Sequence, residues 1–249
     1  MTRVLLLGGT TEASALARAL AEAGIDAVFS YAGRTDAPVT QPLPMRIGGF
    51  GGVDGLVEWL KAEGVTHIVD ATHPFAAQMS RNAVTASAIA NIPFLVLERP
   101  AWVAGPGDNW QHVPSTEAAA HALPDEPARV FLAIGKQTLS LFAAKPHHHY
   151  LLRLVDAPEG PLPLPDAIAV IARGPFTEAD DLNLLSEHRI EVIIAKNAGG
   201  SGAEAKLKAA RILRIPVILI DRPALPTRHV VGSVIEVLDW LGHPTRLGV

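Results

Sequence analysis

A chain of 249 residues with 21 basic and 25 acidic side chains, net charge −4, lacks the cationic excess that a nucleic-acid surface requires. It has no cysteine, which excludes disulfides, thiolate zinc sites and a cysteine nucleophile. Hydrophobic residues make up 49% and aromatics 5%, an aliphatic composition with room for one large or two small domains.

The first apolar run spans four residues, 4–7, too few for a signal peptide or a membrane span, so a soluble cytoplasmic protein is expected. Residues 4–20, VLLLGGTTEASALARAL, read as a buried strand, a glycine turn and a helix. On that helix Leu16, Ala19, Leu20 and Ala23 recur at spacings of three and four and give it one apolar face. A strand entering a helix through a glycine turn presents free backbone N–H groups, and the helix dipole favours an anion there. Against the dinucleotide-binding pattern G-x-G-x-x-G/A, Gly8 takes the first place, Thr10 the second and Ala13 the third. Threonine at the second place keeps the backbone farther from a pyrophosphate and offers the Thr10 and Thr11 hydroxyls as donors instead. A structural turn with a threonine cap is the competing reading.

The next elements are a strand at 26–31, a helix at 53–63, a strand at 66–70, a helix at 77–90 and a strand at 93–97. Residues 104–128 hold four prolines, two glycines and a short helical stretch at 116–123, which places a domain junction near Glu126. The second half repeats the plan, with strands at 129–134, 150–154, 167–171, 191–194 and 216–220, a helix at 203–213 and an amphipathic closing helix at 234–241. Shifting the sequence by 123 residues aligns 67–101 with 190–224 without a gap; IPFLVLERPA in one copy meets IPVILIDRPA in the other. Near-continuous apolar strands are what a parallel sheet covered on both faces requires. The expected fold is α/β: two similar Rossmann-like domains, 1–125 and 126–249, with mostly parallel sheets and a cleft between the domains.

Ligands on such sheets bind beyond the carboxyl ends of the strands. The second strand ends in Ser30-Tyr31-Ala32-Gly33-Arg34-Thr35, with no acid at its tip for ribose hydroxyls. Arg34 with Ser30 and Thr35 suits a 2′-phosphate better, although Asp36 follows closely. After the third long strand comes Asp70-Ala71-Thr72-His73-Pro74. Asp70 closes an apolar strand and must find donors, and Thr72 and His73 stand where a substrate or nicotinamide would lie. The corresponding loop of the second half, Lys196-Asn197-Ala198-Gly199-Gly200, can cradle an anion through its backbone, with Lys196 as a point charge. Gly135-Lys136 forms a third anion-friendly tip.

No metal site is expected. His147, His148 and His149 are adjacent, and neighbours on a strand face opposite sides, so regular geometry cannot turn all three to one ion. No G-x-S-x-G elbow, Walker lysine motif or H-E-x-x-H helix is present.

LLLGGTTEA at 5–13, SYAGRT at 30–35, IVDATHPFA at 68–76, ERPAW at 98–102 and AKNAGGSGA at 195–203 together make the chain resemble one family. That family is the precorrin-6A reductases of cobalamin biosynthesis; Ala198 stands where its lysine loop carries serine. The resemblance implies NADPH bound between two Rossmann-like domains, and hydride transfer to a double bond of the precorrin-6A macrocycle, giving precorrin-6B. It implies a first loop of Gly8, Gly9, Thr10, Thr11 and Glu12, with Ser30, Gly33, Arg34 and Thr35 at the 2′-phosphate. Thr72 and His73 would lie on the nicotinamide side, and Lys196, Asn197, Gly199 and Gly200 on the opposite wall. His73, Tyr31, Lys136 or solvent would supply the proton. The substrate, a polycarboxylate tetrapyrrole, would need cations, for which Lys136, Arg153, Lys196, Arg99, Arg222 and the histidine run are candidates. A cobalt-precorrin-6A reductase of the anaerobic route and a non-catalytic NADP(H)-binding sensor are the alternatives.

Overall fold

A computed structural model describes residues 2–33, 38–158 and 160–242. The elements run β1 (Arg3–Leu7), α1 (Thr11–Glu22), β2 (Asp26–Tyr31), β3 (Met45–Ile47), α2 (Gly52–Ala62), β4 (His67–Asp70), α3 (Ala77–Ala90) and β5 (Phe94–Leu97). They continue with β6 (Trp110–Val113), α4 (Thr116–His121), β7 (Arg129–Ala133), a 3-10 segment (Lys136–Ala144), β8 (His149–Leu154) and β9 (Ala167–Ile171). The chain closes with α5 (Glu178–Glu187), β10 (Val192–Lys196), α6 (Ala205–Leu213), β11 (Val217–Ile220), β12 (Val230–Val231) and α7 (Val234–Trp240).

Two six-stranded sheets form, in the orders β12-β5-β4-β1-β2-β3 and β6-β11-β10-β7-β8-β9. Every pairing in both is parallel. Element for element the two orders are the same doubly wound arrangement, which reverses direction between β1 and β4 in one sheet and between β7 and β10 in the other. The expectation of two Rossmann-like α/β units holds.

The division of the chain differs from the junction expected near Glu126. One compact unit takes the chain up to Pro100 and again from Ala224; the other runs from Ala101 to Pro223. The sixth strand of each sheet comes from chain that has already passed the Arg-Pro-Ala closing one sequence repeat. β6 pairs with β11, Trp110 opposite Val217, and β12 pairs with β5, Val230 opposite Val96. The proline-rich stretch before Glu126 therefore carries an edge strand and α4 rather than a free linker, and β12 with α7 returns to the first unit.

Alternation along β1 shows how the first core is built. Val4 and Leu6 point to one side, packing with Leu16 and Leu20 of α1 and with Val237 and Leu238 of α7. Leu5 and Leu7 point to the other, against Leu56 and Leu60 of α2 and Ala83 and Ala86 of α3. A strand covered on both faces must be apolar at every position, which is why β1 carries no internal polar residue. In the second unit Phe131, Ile193 and Leu219 meet Leu185 of α5 and Leu207 of α6 in the same way.

The turn after β1 is shaped by a close approach. A Cβ on Gly8 would lie 2.0 Å from Cζ of the Phe29 ring, which is itself fully buried. Gly8→Ala is therefore expected to cost about 1–3 kcal/mol through overpacking, measured by urea unfolding. The same substitution should cost measurably less in a Phe29→Leu background, because a smaller side chain opens the space.

Candidate functional site

At the switch point of the first sheet, the turn after β1 meets the turn after β4. The Thr10 hydroxyl donates to Ala71 O at 2.8 Å and accepts from Ala13 N at 3.1 Å, so it both caps α1 and ties the two turns together. Sequence reasoning offered this hydroxyl as a ligand donor; its proton is instead used inside the fold. The Thr11 hydroxyl donates to Glu12 Oε2 at 3.1 Å, and Glu12 pairs with Arg99 at 2.7 Å. The backbone groups remain for an anion. The amides of Thr11 and Glu12, first and second of α1, have no partner within a helix, and Gly9 holds φ +126, a backbone conformation side chains resist. This geometry suits a phosphate group held by N–H donors and the helix dipole.

Ser30 and Tyr31 end β2. Ser30 is buried, and its carbonyl accepts from Gly8 N at 3.0 Å, which places it beside the glycine turn. The Tyr31 hydroxyl donates to Val39 O at 2.8 Å and accepts from Gln41 Nε2 at 2.7 Å, so its proton is also engaged locally. Gly33 is exposed at φ +73, with Gly48 Cα 3.4 Å from where its Cβ would stand. Arg34 and Thr35 lie outside the described residues. Sequence reasoning passed over Arg46, whose Nη1 donates to Ser30 Oγ at 2.9 Å. The signal was available: a cation leading directly into the glycine-rich run GGFGG at 48–52.

After β4 the expected donors for Asp70 are present. The carboxylate is 2% exposed and accepts from Thr72 N at 3.0 Å, Thr72 Oγ1 at 2.7 Å and Ser80 Oγ at 2.6 Å. The Thr72 hydroxyl thus donates to Asp70. His73 Nδ1 accepts from Phe75 N at 3.2 Å. A ring nitrogen that accepts a backbone N–H carries no proton, so in the neutral ring the proton sits on Nε2.

The remaining sequence candidates belong to the second unit. Gly135 adopts φ +80 before the exposed Lys136, which opens the 3-10 segment. Lys196 ends β10 and is half-buried. Gly199 and Gly200 both adopt left-handed backbone, φ +70 and +69, as the loop turns back on itself. Asn197 is tied into the fold. It is 5% exposed, with Oδ1 accepting from Trp102 N at 2.8 Å and Nδ2 donating to Trp102 O at 3.1 Å. Trp102 Nε1 in turn donates to Gly200 O at 2.8 Å. Trp102, which sequence reasoning left out, thus holds the glycine loop from within.

Several cations are engaged inside the fold. Arg153 forms an ion pair with Asp181, their side chains 9% and 2% exposed, and lies 4.0 Å from the Phe176 ring centroid. Arg222 donates to Asn197 O at 3.0 Å and Ala198 O at 3.1 Å. In the histidine run, His148 is wholly buried with Nδ1 accepting from Ala128 N at 3.0 Å, and His149 Nδ1 meets Asp166 at 2.8 Å. Among the described residues no three His, Cys, Asp or Glu side chains gather as metal ligands.

Residues 3–242 match the family model described as precorrin-6x reductase CbiJ/CobK. The chain belongs to the precorrin-6x reductase family. A precorrin-6A reductase from Rhodobacter capsulatus is 65% identical over 241 residues, 97% of this chain and 96% of that protein. One from Mycobacterium tuberculosis is 43% identical, covering 99% of this chain and 100% of that protein. A cobalt-precorrin-6A reductase from Priestia megaterium is 32% identical over 98% of this chain and 99% of its own length. The solved structure of a CobK precorrin-6A reductase matches with a TM-score of 0.95 at 64% identity, covering both chains completely.

Asn197→Ala leaves a buried N–H and C=O of Trp102 without partners. We expect a loss of about 2–4 kcal/mol in urea unfolding, with a red shift of tryptophan emission in the native baseline. His148 gives a pH dependence. Burial holds its pKa below the ordinary value near 6.5. The unfolded chain then takes up the proton first, so stability is full above that value and is lost as pH falls through it. His67 is shifted in the same direction, also by burial. His148→Asn, which keeps an acceptor for Ala128 N, should flatten the fall in melting temperature between neutral and mildly acidic pH.

Proposed function

We propose that the chain reduces a double bond of the precorrin-6A macrocycle with NADPH, giving precorrin-6B, in cobalamin biosynthesis. The observation that carries this reading is the whole-length likeness to the Rhodobacter capsulatus precorrin-6A reductase, 65% identical with no large segment unmatched on either side. The substrate form follows from the same comparisons. Precorrin-6A reductases match at 43–65% identity, whereas the cobalt-precorrin-6A reductases match at 27–32%. The cobalt-free substrate is therefore preferred.

In this reading NADPH supplies the hydride, and the protein supplies binding and orientation. Gly8, Gly9 and the amides of Thr11 and Glu12 hold the diphosphate, and the loop that follows β2 is assigned to the 2′-phosphate. Asp70 fixes the loop that carries Thr72 and His73, and the latter presents an Nε2–H as a hydrogen-bond donor. The Tyr31 proton is held by Val39 O at 2.8 Å. The proton that completes the reduction would then come from His73, Lys136 or solvent. Lys136 and Lys196, with Gly199 and Gly200, offer cations and backbone donors to a polycarboxylate.

The deciding experiment gives purified protein precorrin-6A with NADPH or NADH, following loss of nicotinamide absorbance and product mass. A gain of two hydrogens, faster with NADPH, is the expected result. Turnover only of the cobalt-containing macrocycle would replace the substrate. NADPH binding with no turnover of either would make the protein a sensor.

A further inference from the structure

Arg46 is a charged group that the folding of the first unit leaves unexplained. It sits on β3 in register with Ser30, one residue before the end of β2. Its Nη1 donates to Ser30 Oγ at 2.9 Å and to Gly48 O at 2.9 Å, and its Nη2 donates to Gly49 O at 3.0 Å. The guanidinium lies 3.7 Å from the Phe50 ring centroid and 5.6 Å from that of Trp59. Every one of these partners is neutral.

Among the described residues no carboxylate pairs with Arg46, although Arg3, Arg99, Arg153, Arg211 and Arg228 all have acidic partners. A half-buried cation with no counter-ion among the described residues carries a desolvation cost, and burial depresses the Arg46 pKa. The hydroxyl and two carbonyls need only neutral donors, and among the described residues the charge itself meets ring faces, of Phe50 and Trp59, but no anion. Among the described residues three of the five guanidinium donors are engaged, leaving Nε–H and one Nη2–H. The plane is already fixed by three bonds and a ring face, so little entropy is lost when an anion arrives.

In this strand order the end of the second strand is where the ribose of a bound dinucleotide is read. We propose that Arg46 determines cofactor specificity by pairing with the 2′-phosphate of NADPH. The inference rests on the NADPH reading above and adds a second cation to Arg34. Ser30, whose hydroxyl accepts from Arg46, then orients the guanidinium rather than meeting the phosphate first.

The test is direct binding of NADPH and NADH, by titration calorimetry, to the unaltered protein and to Arg46→Gln and Arg46→Lys, with melting temperatures as a check on folding. Arg46→Gln is expected to raise the NADPH Kd about tenfold or more and to leave the NADH Kd within about twofold. Arg46→Lys, which keeps the charge and loses the fork, should fall between. Parallel weakening of both nucleotides would reduce Arg46 to a scaffold residue, and an unchanged NADPH Kd would remove it from the site. Should Arg46→Gln fail to fold, the NADPH-to-NADH affinity ratio of Arg46→Lys decides, and an unchanged ratio overturns the proposal. An unaltered protein with no preference for NADPH defeats the cofactor reading itself, and Arg46 with it. A preference that survives in both variants defeats only Arg46.

Discussion

Parallel pairing is the constraint from which the rest of this molecule follows. Adjacent parallel strands cannot be joined by a tight turn, so each connection crosses a face of the sheet and covers it. Both faces of β1 are consequently lined by helices, and its residues from Val4 to Leu7 are at most 1% exposed. Polar chemistry is driven to the strand ends, where all carboxyl termini of a sheet emerge on one edge. Asp70 shows the price of a polar group just inside that edge. Its buried carboxylate is tolerable because Thr72 and Ser80 supply three donors, and those bonds in turn set the path of the loop carrying His73.

The second constraint is the exchange of edge strands. Each repeat ends in Arg-Pro-Ala, and after it the chain supplies the sixth strand of the other sheet. Proline lacks the N–H that would continue a ladder and keeps the preceding residue extended, which suits a chain leaving a sheet. The arginine before each proline is tied to its own unit, Arg99 to Glu12 and Arg222 to the carbonyls of Asn197 and Ala198. The second sheet is built wholly from the continuous stretch 110–220, whereas the first is completed only by β12, the last strand of the chain.

Most elements could be read in advance because burial on both faces writes a long apolar signature. Strands at 26–31 and 167–171 and the helix at 77–90 coincide with the observed bounds. The elements that escaped were those with little to bury. β3, β6 and β12 are short edge pieces, with Met45 and Ile47 exposed and Gln111 and His112 facing water. α5 is acidic through its first turn and buries only Asp181 and Leu185. At the site, residue types and loop positions were legible, but the use of each side chain was not. Whether Thr10, Thr72 and Asn197 meet a ligand or the backbone depends on partners 61, 2 and 95 residues away along the chain. No local pattern encodes the pairings of Thr10 and Asn197; that of Thr72 lies within its own turn, but its use could not be told from ligand contact. The family resemblance, spread across the whole chain, identified what local motifs could not.

The two units share a plan and differ where chemistry would require it. After β1 the chain enters a twelve-residue α-helix capped by Thr10, whose open amides and dipole face the glycine turn. After β7, the equivalent strand, it enters a 3-10 segment from Gly135 with no side-chain cap, and such a segment has poorer hydrogen-bond alignment. The first arrangement suits an extended diphosphate held by backbone donors. The second is weaker as a dipole and depends more on point charges, with Lys136 and Lys196 at its strand ends. Point charges on flexible stems suit carboxylates spread around a large macrocycle better than one fixed phosphate. The difference in helix type at one equivalent turn thus gives the two strand ends different anion-binding character within a shared plan.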